Sequence, residues 1–166
     1  MTNNDILIRL RYALDIKNVD MIKIFELGGV KVTKEDVLNM LIKLREDEEA
    51  PENFYKVNNR ILESFLNGFI TFKRGPQLDE NGNPKPPMKA TGEENSNNML
   101  IKKVKIALGL TTDDIVELLY DGGVTVSKGE VGAIMRAPGH KNYKVCMDRF
   151  ARCFLKGLTY QYRETK

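Results

Sequence analysis

The stretch that decides the fold is residues 4–38, NDILIRLRYALDIKNVDMIKIFELGGVKVTKEDVL, because the chain contains a second copy of it. Shifted by 94 positions, it aligns without a gap on residues 98–132, NMLIKKVKIALGLTTDDIVELLYDGGVTVSKGEVG, where ten of 35 residues are identical. A second block, residues 53–70, aligns on residues 142–159 at an offset of 89. The first copy therefore carries five extra residues between its blocks, and the chain is an internal duplication.

Each copy is predicted to form four helices. In the first helix, apolar residues recur at helical spacing, as at Ile6 and Leu10 in one copy and at Leu100 and Val104 in the other. A helical unit of about 70 residues would be marginally stable alone. We therefore predict an all-α fold of two tandem four-helix repeats that pack together about a pseudo-twofold axis.

Capping residues and glycines mark the helix ends. Thr33 and Ser127 are each followed three residues later by a carboxylate, the pattern of a capping box that opens helix 3. Thr111 opens helix 2 of the second copy with a variant of the same pattern. Helix 2 of each copy runs into a Gly-Gly pair, residues 28–29 or 122–123. We interpret both pairs as helix stops, because glycine adopts the left-handed conformation at low steric cost.

The copies differ in charge and are separated by a segment that breaks helices. Residues 73–97 are rich in proline and glycine, including Pro86-Pro87, and predict an exposed, mobile linker between residues 1–72 and 98–166. The first copy (residues 4–72) has 10 Lys and Arg against 12 Asp and Glu, whereas the second has 12 against 7. The chain therefore has an acidic first half and a basic second half.

The composition is that of an ordinary globular protein, with 42% hydrophobic and 30% charged residues. No apolar run approaches the roughly 20 residues that span a bilayer. The stretch Met1–Asp5 lacks the basic region and cleavage site of a signal peptide. Two cysteines do not make a disulfide framework. These features predict a cytoplasmic protein without a membrane segment.

The chain offers no pattern typical of an enzyme or a cofactor site. Its one histidine, His140, lies in the loop before the last helix and is interpreted as a loop-capping or packing residue. A serine or cysteine nucleophile needs a base held by a third group, and no spacing suggests that arrangement. The Gly-Gly pairs also lack the pattern of a phosphate-binding loop. We therefore expect no catalytic residues, no cofactor and no enzymatic activity.

Metal sites are not indicated either. Cys146 and Cys153 are predicted to share one face of the last helix, but zinc sites usually use closer pairs. Because the first copy has Val57 and Ser64 in their places, we interpret both cysteines as small buried packing residues. The acidic run at residues 46–49 lacks the calcium-loop pattern and is interpreted as a solvated helix end, with an acidic partner contact as the alternative.

The best functional lead in the sequence is the basic side of the second copy. Such a surface could neutralise nucleic-acid phosphates, although an ordinary solvated face explains it as well. The helix 2–helix 3 unit only weakly resembles a helix-turn-helix, since the connection at residues 120–126 is too long and Glu130 would face the bases. The candidate contact residues for nucleic acid or a protein partner are Lys102, Lys105, Arg136, His140, Lys141, Tyr143, Lys144 and Arg149.

Several motifs together resemble a known family. LRYAL at residues 10–14, FLNG at 65–68, PGHKNY at 138–143 and FLKGL at 154–158 are similar to the bacterial domain-of-unknown-function family typified by YehS, in which the domain occurs twice per chain. The resemblance implies a bacterial cytosolic protein with a duplicated helical domain. It implies no activity, ligand or catalytic residue.

Taken together, these observations favour a non-enzymatic binding or adaptor protein that acts through protein contacts. Duplication produces two related surfaces, and their divergence in charge suggests that they serve different purposes. The alternative is a nucleic-acid-binding module that uses the basic face of the second copy.

Overall fold

A computed structural model describes residues 1–86 and 88–163 and confirms the all-α class. Pro87, in the predicted linker, and residues 164–166, at the predicted end of the second copy, lie outside the described residues. The described chain has four α-helices in each copy, as predicted, and its one β feature is an isolated bridge in the linker. The helices are α1 (Asn3–Leu14), α2 (Asn18–Leu27), α3 (Lys34–Met40), α4 (Asn59–Arg74), α5 (Ser96–Leu108), α6 (Thr112–Asp121), α7 (Lys128–Met135) and α8 (Asp148–Leu158), followed by a π-helical turn (Thr159–Arg163).

The connection between the copies runs over residues 75–95, because α4 extends to Arg74 and α5 begins at Ser96. Most of its described residues are exposed. The mobility of this linker and the domain limits stay predictions. No helix in the described part of the chain is long and apolar enough to cross a bilayer.

Four capping boxes open helices of the described chain, and three of them are the predicted ones. In each, a hydroxyl oxygen accepts a backbone N–H of the first turn, while a carboxylate accepts the N–H of the capping residue. The fourth box, at the start of α1, was not predicted. The pairs are Thr2 with Asp5, Thr33 with Asp36, Thr111 with Asp114, and Ser127 with Glu130.

The two Gly-Gly pairs end α2 and α6, as predicted, but only the second glycine of each pair is in the left-handed conformation. Gly29 and Gly123 have positive φ angles of 88° and 111°, as a helix stop requires. Gly28 and Gly122, by contrast, have φ angles of −85° and −79°. A Cβ atom on Gly28 would lie 1.8 Å from the carbonyl oxygen of Ser64. The first glycine is therefore required for the close approach of another helix.

That other helix supplies a glycine of its own. A Cβ atom on Gly68 in α4 would lie 1.9 Å from the carbonyl oxygen of Ile24 in α2. In the second copy, a Cβ atom on Gly157 in α8 would lie 2.1 Å from the carbonyl oxygen of Leu118 in α6. The helix pairs α2–α4 and α6–α8 thus pack backbone against backbone in the same way.

A buried asparagine on the first helix ties each copy together. In the first copy, the side-chain amide of Asn4 donates to the carbonyl oxygens of Met40 (3.0 Å) and Tyr55 (2.8 Å). Its Oδ1 atom accepts the backbone N–H of Val57 at 3.0 Å. One side chain therefore holds the end of α3 and the segment that leads into α4.

The second copy repeats this arrangement atom for atom. The amide of Asn98 donates to the carbonyl oxygens of Ile134 (3.1 Å) and Lys144 (2.9 Å). Its Oδ1 atom accepts the backbone N–H of Cys146 at 2.8 Å. Asn4 and Asn98 are among the residues conserved between the copies, and this shared role explains the identity.

Two predictions about local structure are wrong. Cys146 lies before α8, which begins at Asp148, so the two cysteines do not share a helix face. The hydrogen bond to the buried Asn98 holds the backbone of Cys146 in the non-helical entry segment. Residues 46–49 are solvated, as predicted, but they lie in a loop because α3 ends at Met40.

Candidate binding groove between the repeats

The two copies meet through two pairs of helices that correspond to each other in the repeat. α4 lies against α5, while α1 lies against α8 and the π-helical turn. Because α5 is the second copy of α1, and α8 is the second copy of α4, each pair is the counterpart of the other. We call α4–α5 the closed interface, because its helices pack more closely, and α1–α8 the open interface, because a large groove lies between its helices. A smaller cavity of about 290 Å³ lies where α4 and α5 meet the linker. The pseudo-twofold axis itself stays a prediction.

A buried carboxylate organises the closed interface. Glu63 on α4 is only 7% exposed, and its Oε1 atom accepts the backbone N–H groups of Thr91 (3.1 Å) and Gly92 (3.0 Å). One turn further along α4, the amide of Asn67 donates to the carbonyl oxygen of Met88 at 3.2 Å. The end of the linker is therefore fastened to α4 just before α5 begins.

The closed interface also balances its charges. Burial lowers the pKa of Lys103 on α5, and the nearby carboxylates of Glu63 and Glu94 act in the opposite direction. A carboxylate from α4 thus lies close enough to α5 to stabilise the positive charge of a half-buried lysine.

The open interface contains a groove of about 690 Å³. Its walls come from α1, α8, the π-helical turn, the C-terminal end of α6 and the segment that follows α3. Ile8 and Leu155 provide apolar wall, and the half-buried Cys153 lies between the cations. The cationic and aromatic lining residues are Arg9, Tyr12, Lys43, Arg152, Lys156 and Tyr160.

Positive charge is in excess in this groove. Its four cationic side chains are exposed, and none of them makes an ion pair with any described residue. Among the described lining residues the single carboxylate is Asp5, which accepts the backbone N–H of Thr2 at 3.0 Å as part of the α1 capping box. The groove therefore presents four cations against one lining carboxylate, and Asp148, on the same helix as Arg152, is a further carboxylate nearby.

The repeat alignment accounts for this difference in charge. Arg152 stands where the closed interface has Glu63. Lys156 stands where the closed interface has Asn67. The facing helix carries a cation at the matching position of both interfaces, which is Arg9 in the open one. Three cations therefore line the groove at positions where the closed interface has one cation, one carboxylate and one amide.

Two tyrosines flank the cations. Tyr12 is 52% exposed, and the Arg163 guanidinium lies 3.9 Å from the centre of its ring. Arg163 also donates to the carbonyl oxygen of Tyr12 (2.8 Å) and lies 3.4 Å from the carboxylate of Asp15. At the other wall, the Nζ atom of Lys156 lies 5.8 Å from the ring centre of Tyr160. The groove thus combines positive charge with aromatic surface.

The groove continues into a second cavity of about 880 Å³. The two cavities share Asp5, Arg9 and Arg152, and the second one extends to Phe54 in the segment before α4. Its lining carries Glu46 and Glu48 from the acidic loop, together with Arg45 and Lys56. Together the cavities form a long channel in which carboxylates alternate with a larger number of cations.

Comparison with known proteins adds the family. The family model described as a protein of unknown function (DUF1456) matches the chain twice, over residues 3–75 and 97–164. The chain belongs to this family. It is also 42% identical over 158 residues to the uncharacterized protein YehS of Escherichia coli (strain K12), a match that covers 95% of this chain and 94% of that protein. No solved structure matches the chain.

Both DUF1456 segments agree with the resemblance proposed from the sequence motifs, which is confirmed. The two segments correspond to the two copies found by alignment of the chain with itself. The 158 matched residues extend over both copies of this chain, and YehS is itself uncharacterized.

Part of the predicted basic face is not a free cationic surface. Lys102 forms an ion pair with Glu94 and is only 17% exposed. Its Nζ atom also lies 5.6 Å from the ring centre of Tyr143. Lys105, on the same helix, is half-buried. These three of the candidate contact residues are therefore engaged in, or partly covered by, the protein itself.

The remaining candidates surround the loop before α8. The Nδ1 atom of His140 accepts the backbone N–H of Asn142 at 3.0 Å, which confirms the predicted loop-capping role of this histidine. Arg136 donates to the carbonyl oxygen of Asn142 at 2.9 Å and so supports the same loop. The candidates that remain exposed are His140 and the three cations Lys141, Lys144 and Arg149.

Sequence reasoning did not find the groove as a site. Arg9 and Lys43 belong to the acidic first copy, whose overall charge does not indicate a cationic site. Arg152 and Lys156 lie on the same helix as the candidate Arg149, but they are not among the candidate contact residues. A signal was nevertheless present, because the repeat alignment replaces Glu63 by an arginine at position 152.

The two cysteines differ in their surroundings. Burial raises the pKa of the Cys146 thiol to about 12, and the side chain is 1% exposed. The packing role proposed for Cys146 therefore agrees with the structure, but Cys153 is only half-buried and lines the groove. Over the described residues, no three His, Cys, Asp or Glu side chains come together as a metal ion would require.

Proposed function

We propose that this member of the DUF1456 family is a non-enzymatic binding or adaptor protein of the cytoplasm, and that it binds another protein in the groove of the open interface. One observation carries the proposal. The open interface has unpaired cations at the positions where its counterpart has a carboxylate and an amide that fasten the linker. A surface of this kind remains available for an outside group.

The residue types in the groove support a protein partner. Arginine and tyrosine are enriched in the buried centres of protein interfaces, because each combines apolar area with a polar group that can be paired. Arg9, Tyr12, Arg152 and Tyr160 lie along one channel with apolar walls. The open shape of the channel also suits a segment of another chain better than an enclosed cofactor.

The groove lining supports binding rather than catalysis. It contains a thiol, Cys153, and a carboxylate, Asp5, but no histidine among its described residues. Nucleophilic catalysis by a thiol requires a base within hydrogen-bond reach. The single histidine of the chain is His140, which hydrogen-bonds within its own loop.

The alternative, nucleic-acid binding through the second copy, is left with a smaller surface. Its exposed cations are Lys141, Lys144 and Arg149, since Lys102 is paired with Glu94. We therefore rank it below the groove. It stays a hypothesis that the following experiment also tests.

An immobilised library of 15-residue peptides of varied sequence tests the proposed function. We expect the wild-type protein to bind a defined subset of peptides and the Arg152→Glu, Lys156→Glu variant to lose that subset. The Lys141→Glu, Lys144→Glu variant is the matched control, because it makes the same change of charge outside the groove. Loss of binding in the control with retention in the groove variant would overturn the proposal, as would the absence of any bound peptide.

A further inference from the structure

We infer that the partner presents an acidic segment to the groove, with carboxylates about one helical turn apart and an apolar side chain between them. This inference rests on the proposed function, since it names the chemistry of the protein segment that the groove binds. It is drawn from the positions of the cations, from the closed interface and from the charge along the channel.

The spacing of the cations sets the spacing of the carboxylates. Arg152 and Lys156 are four residues apart on α8, so their side chains leave the same helix face about 5–6 Å apart. Arg9 lies across the groove on α1. Two carboxylates at positions i and i+4 of a helical segment would each meet one cation of α8, and Arg9 would be shared between them.

The closed interface shows how this fold uses a carboxylate between the same two helix positions. There Glu63 of α4 lies near Lys103 of α5 and accepts two backbone N–H groups. In the open interface Arg152 has replaced that carboxylate, and the facing cation Arg9 is retained. An acidic partner would therefore supply from outside a carboxylate like the one that α4 supplies in the closed interface. Arginine suits this role, because its guanidinium can bind a carboxylate with two parallel hydrogen bonds.

The aromatic and aliphatic lining accounts for the apolar part of the partner. Tyr12 is 52% exposed beside Ile8, and Tyr160 lies on the opposite wall near Leu155. Burial of an apolar side chain between these walls would add affinity that a simple polyanion lacks. The groove is thus suited to an amphipathic acidic segment.

The charge along the channel argues against a nucleic acid and a single small anion. A nucleic-acid strand carries a phosphate at every step, so its backbone would meet Asp5, Glu46 and Glu48 as well as the cations of the channel. A free phosphate ion would reach only part of the cationic lining, because the cations come from α1, α8 and the segment after α3. A peptide can place its acidic residues at the cations and an uncharged or basic residue beside the acidic loop.

A fluorescence anisotropy titration with designed peptides tests the inference. The first peptide is a labelled helix with glutamates at i and i+4 and a leucine between them, the second has glutamine in place of both glutamates, and the third has lysine. We expect the wild-type protein to bind the glutamate peptide at least tenfold more tightly than the glutamine peptide. The Arg152→Glu, Lys156→Glu variant should lose the glutamate peptide and gain the lysine peptide.

Several outcomes would overturn the inference. They are equal binding of the glutamate and glutamine peptides, equal loss of binding in the Lys141→Glu, Lys144→Glu control, or displacement of the glutamate peptide by millimolar phosphate or micromolar oligonucleotide. If library peptides bind in the groove without an acidic preference, the inference fails while the proposed function stands. If no peptide of the library binds, both fail. The gain of the lysine peptide shows that the groove variant is folded.

Discussion

The closed and open interfaces are built from corresponding helices, but they differ in what lies between them. In the closed interface the carboxylate of Glu63 is buried and fastens the linker, and α4 and α5 pack closely. In the open interface Arg152 takes the place of that carboxylate, and a groove remains. The comparison teaches that the same position of the repeat holds a buried carboxylate that fastens the linker in one interface and an exposed arginine that lines a groove in the other.

The comparison assumes that the helices within the two copies pack in the same way. Substitution of the glycines where two helices cross should have the largest effect on stability. Gly28→Ala and Gly122→Ala each place a methyl group 1.8 Å from a carbonyl oxygen. We expect each to lower the free energy of unfolding by about 3 kcal/mol or more. Urea denaturation measures the change. Gly29→Ala is the control, because its cost of about 1 kcal/mol comes only from the positive φ. Equal costs for the control and Gly28→Ala would contradict the close-packing explanation.

The buried asparagines test the same assumption with a smaller effect. Asn4→Ala and Asn98→Ala each leave two carbonyl oxygens and one N–H group without their partner. We expect a loss of about 2–3 kcal/mol in the free energy of unfolding for both variants, measured by urea denaturation. The exposed Asn53→Ala should cost less than about 0.5 kcal/mol. A marked difference between the two buried variants would show that the copies are not equivalent.

Glu63→Gln tests what keeps the closed interface closed. Glutamine retains an acceptor oxygen for the N–H groups of Thr91 and Gly92 but removes the negative charge near Lys103. We expect a loss of about 1 kcal/mol in the free energy of unfolding. Trypsin should also cleave the linker faster, at the exposed Lys89. The exposed Glu93→Gln is the matched control, and cleavage at the same rate in both variants would count against a fastening role for Glu63.

Arg152→Glu tests whether repulsion between the cations of the groove lowers the stability of the open interface. The new carboxylate lies one turn before Lys156 and opposite Arg9, although it also lies near Asp148. We expect a net gain of about 0.5 kcal/mol in the free energy of unfolding at low salt, and a smaller gain at high salt. A loss of stability, or a gain that does not depend on salt, would contradict a destabilising repulsion between the cations of the groove.

Chemical modification of the two cysteines tests their difference in exposure and should leave the stability of the protein nearly unchanged. In the native protein at pH 8, iodoacetamide should modify Cys153 in the groove and spare Cys146. The reactive form is the thiolate, and the pKa of about 12 keeps the buried Cys146 protonated. Mass spectrometry of tryptic peptides measures the adducts, and urea should make both thiols reactive. Modification of Cys146 at the rate of Cys153 would contradict the difference in exposure.

Much of the fold was predictable because it depends on local pattern. The helical spacing of apolar residues and the capping boxes at Thr33, Thr111 and Ser127 act over one or two turns, and the structure confirms them. The role of Gly28 was not predictable, since a close approach of another helix leaves no local signal. The same holds for Asn98, whose three partners come from two distant segments.

The groove was beyond sequence reasoning for a related physical reason. Which cations meet depends on how α1 lies against α8, and the repeat pattern does not contain the placement of one copy on the other. The net charge of each copy led to the prediction that Lys102 is a contact residue, whereas in the structure Lys102 is paired with Glu94. Comparing charge position by position between the copies would have singled out Arg152 against Glu63.

The most direct test of the central claim is an amide chemical-shift map of the ¹⁵N-labelled protein titrated with the glutamate peptide. We predict that the shifted amides cluster on the facing sides of α1 and α8, around Arg9, Tyr12, Arg152 and Lys156, while those of α4 and α5 stay in place. Shifts confined to the loop at residues 136–144, or spread equally over both interfaces, would contradict the claim that the open interface is the binding surface.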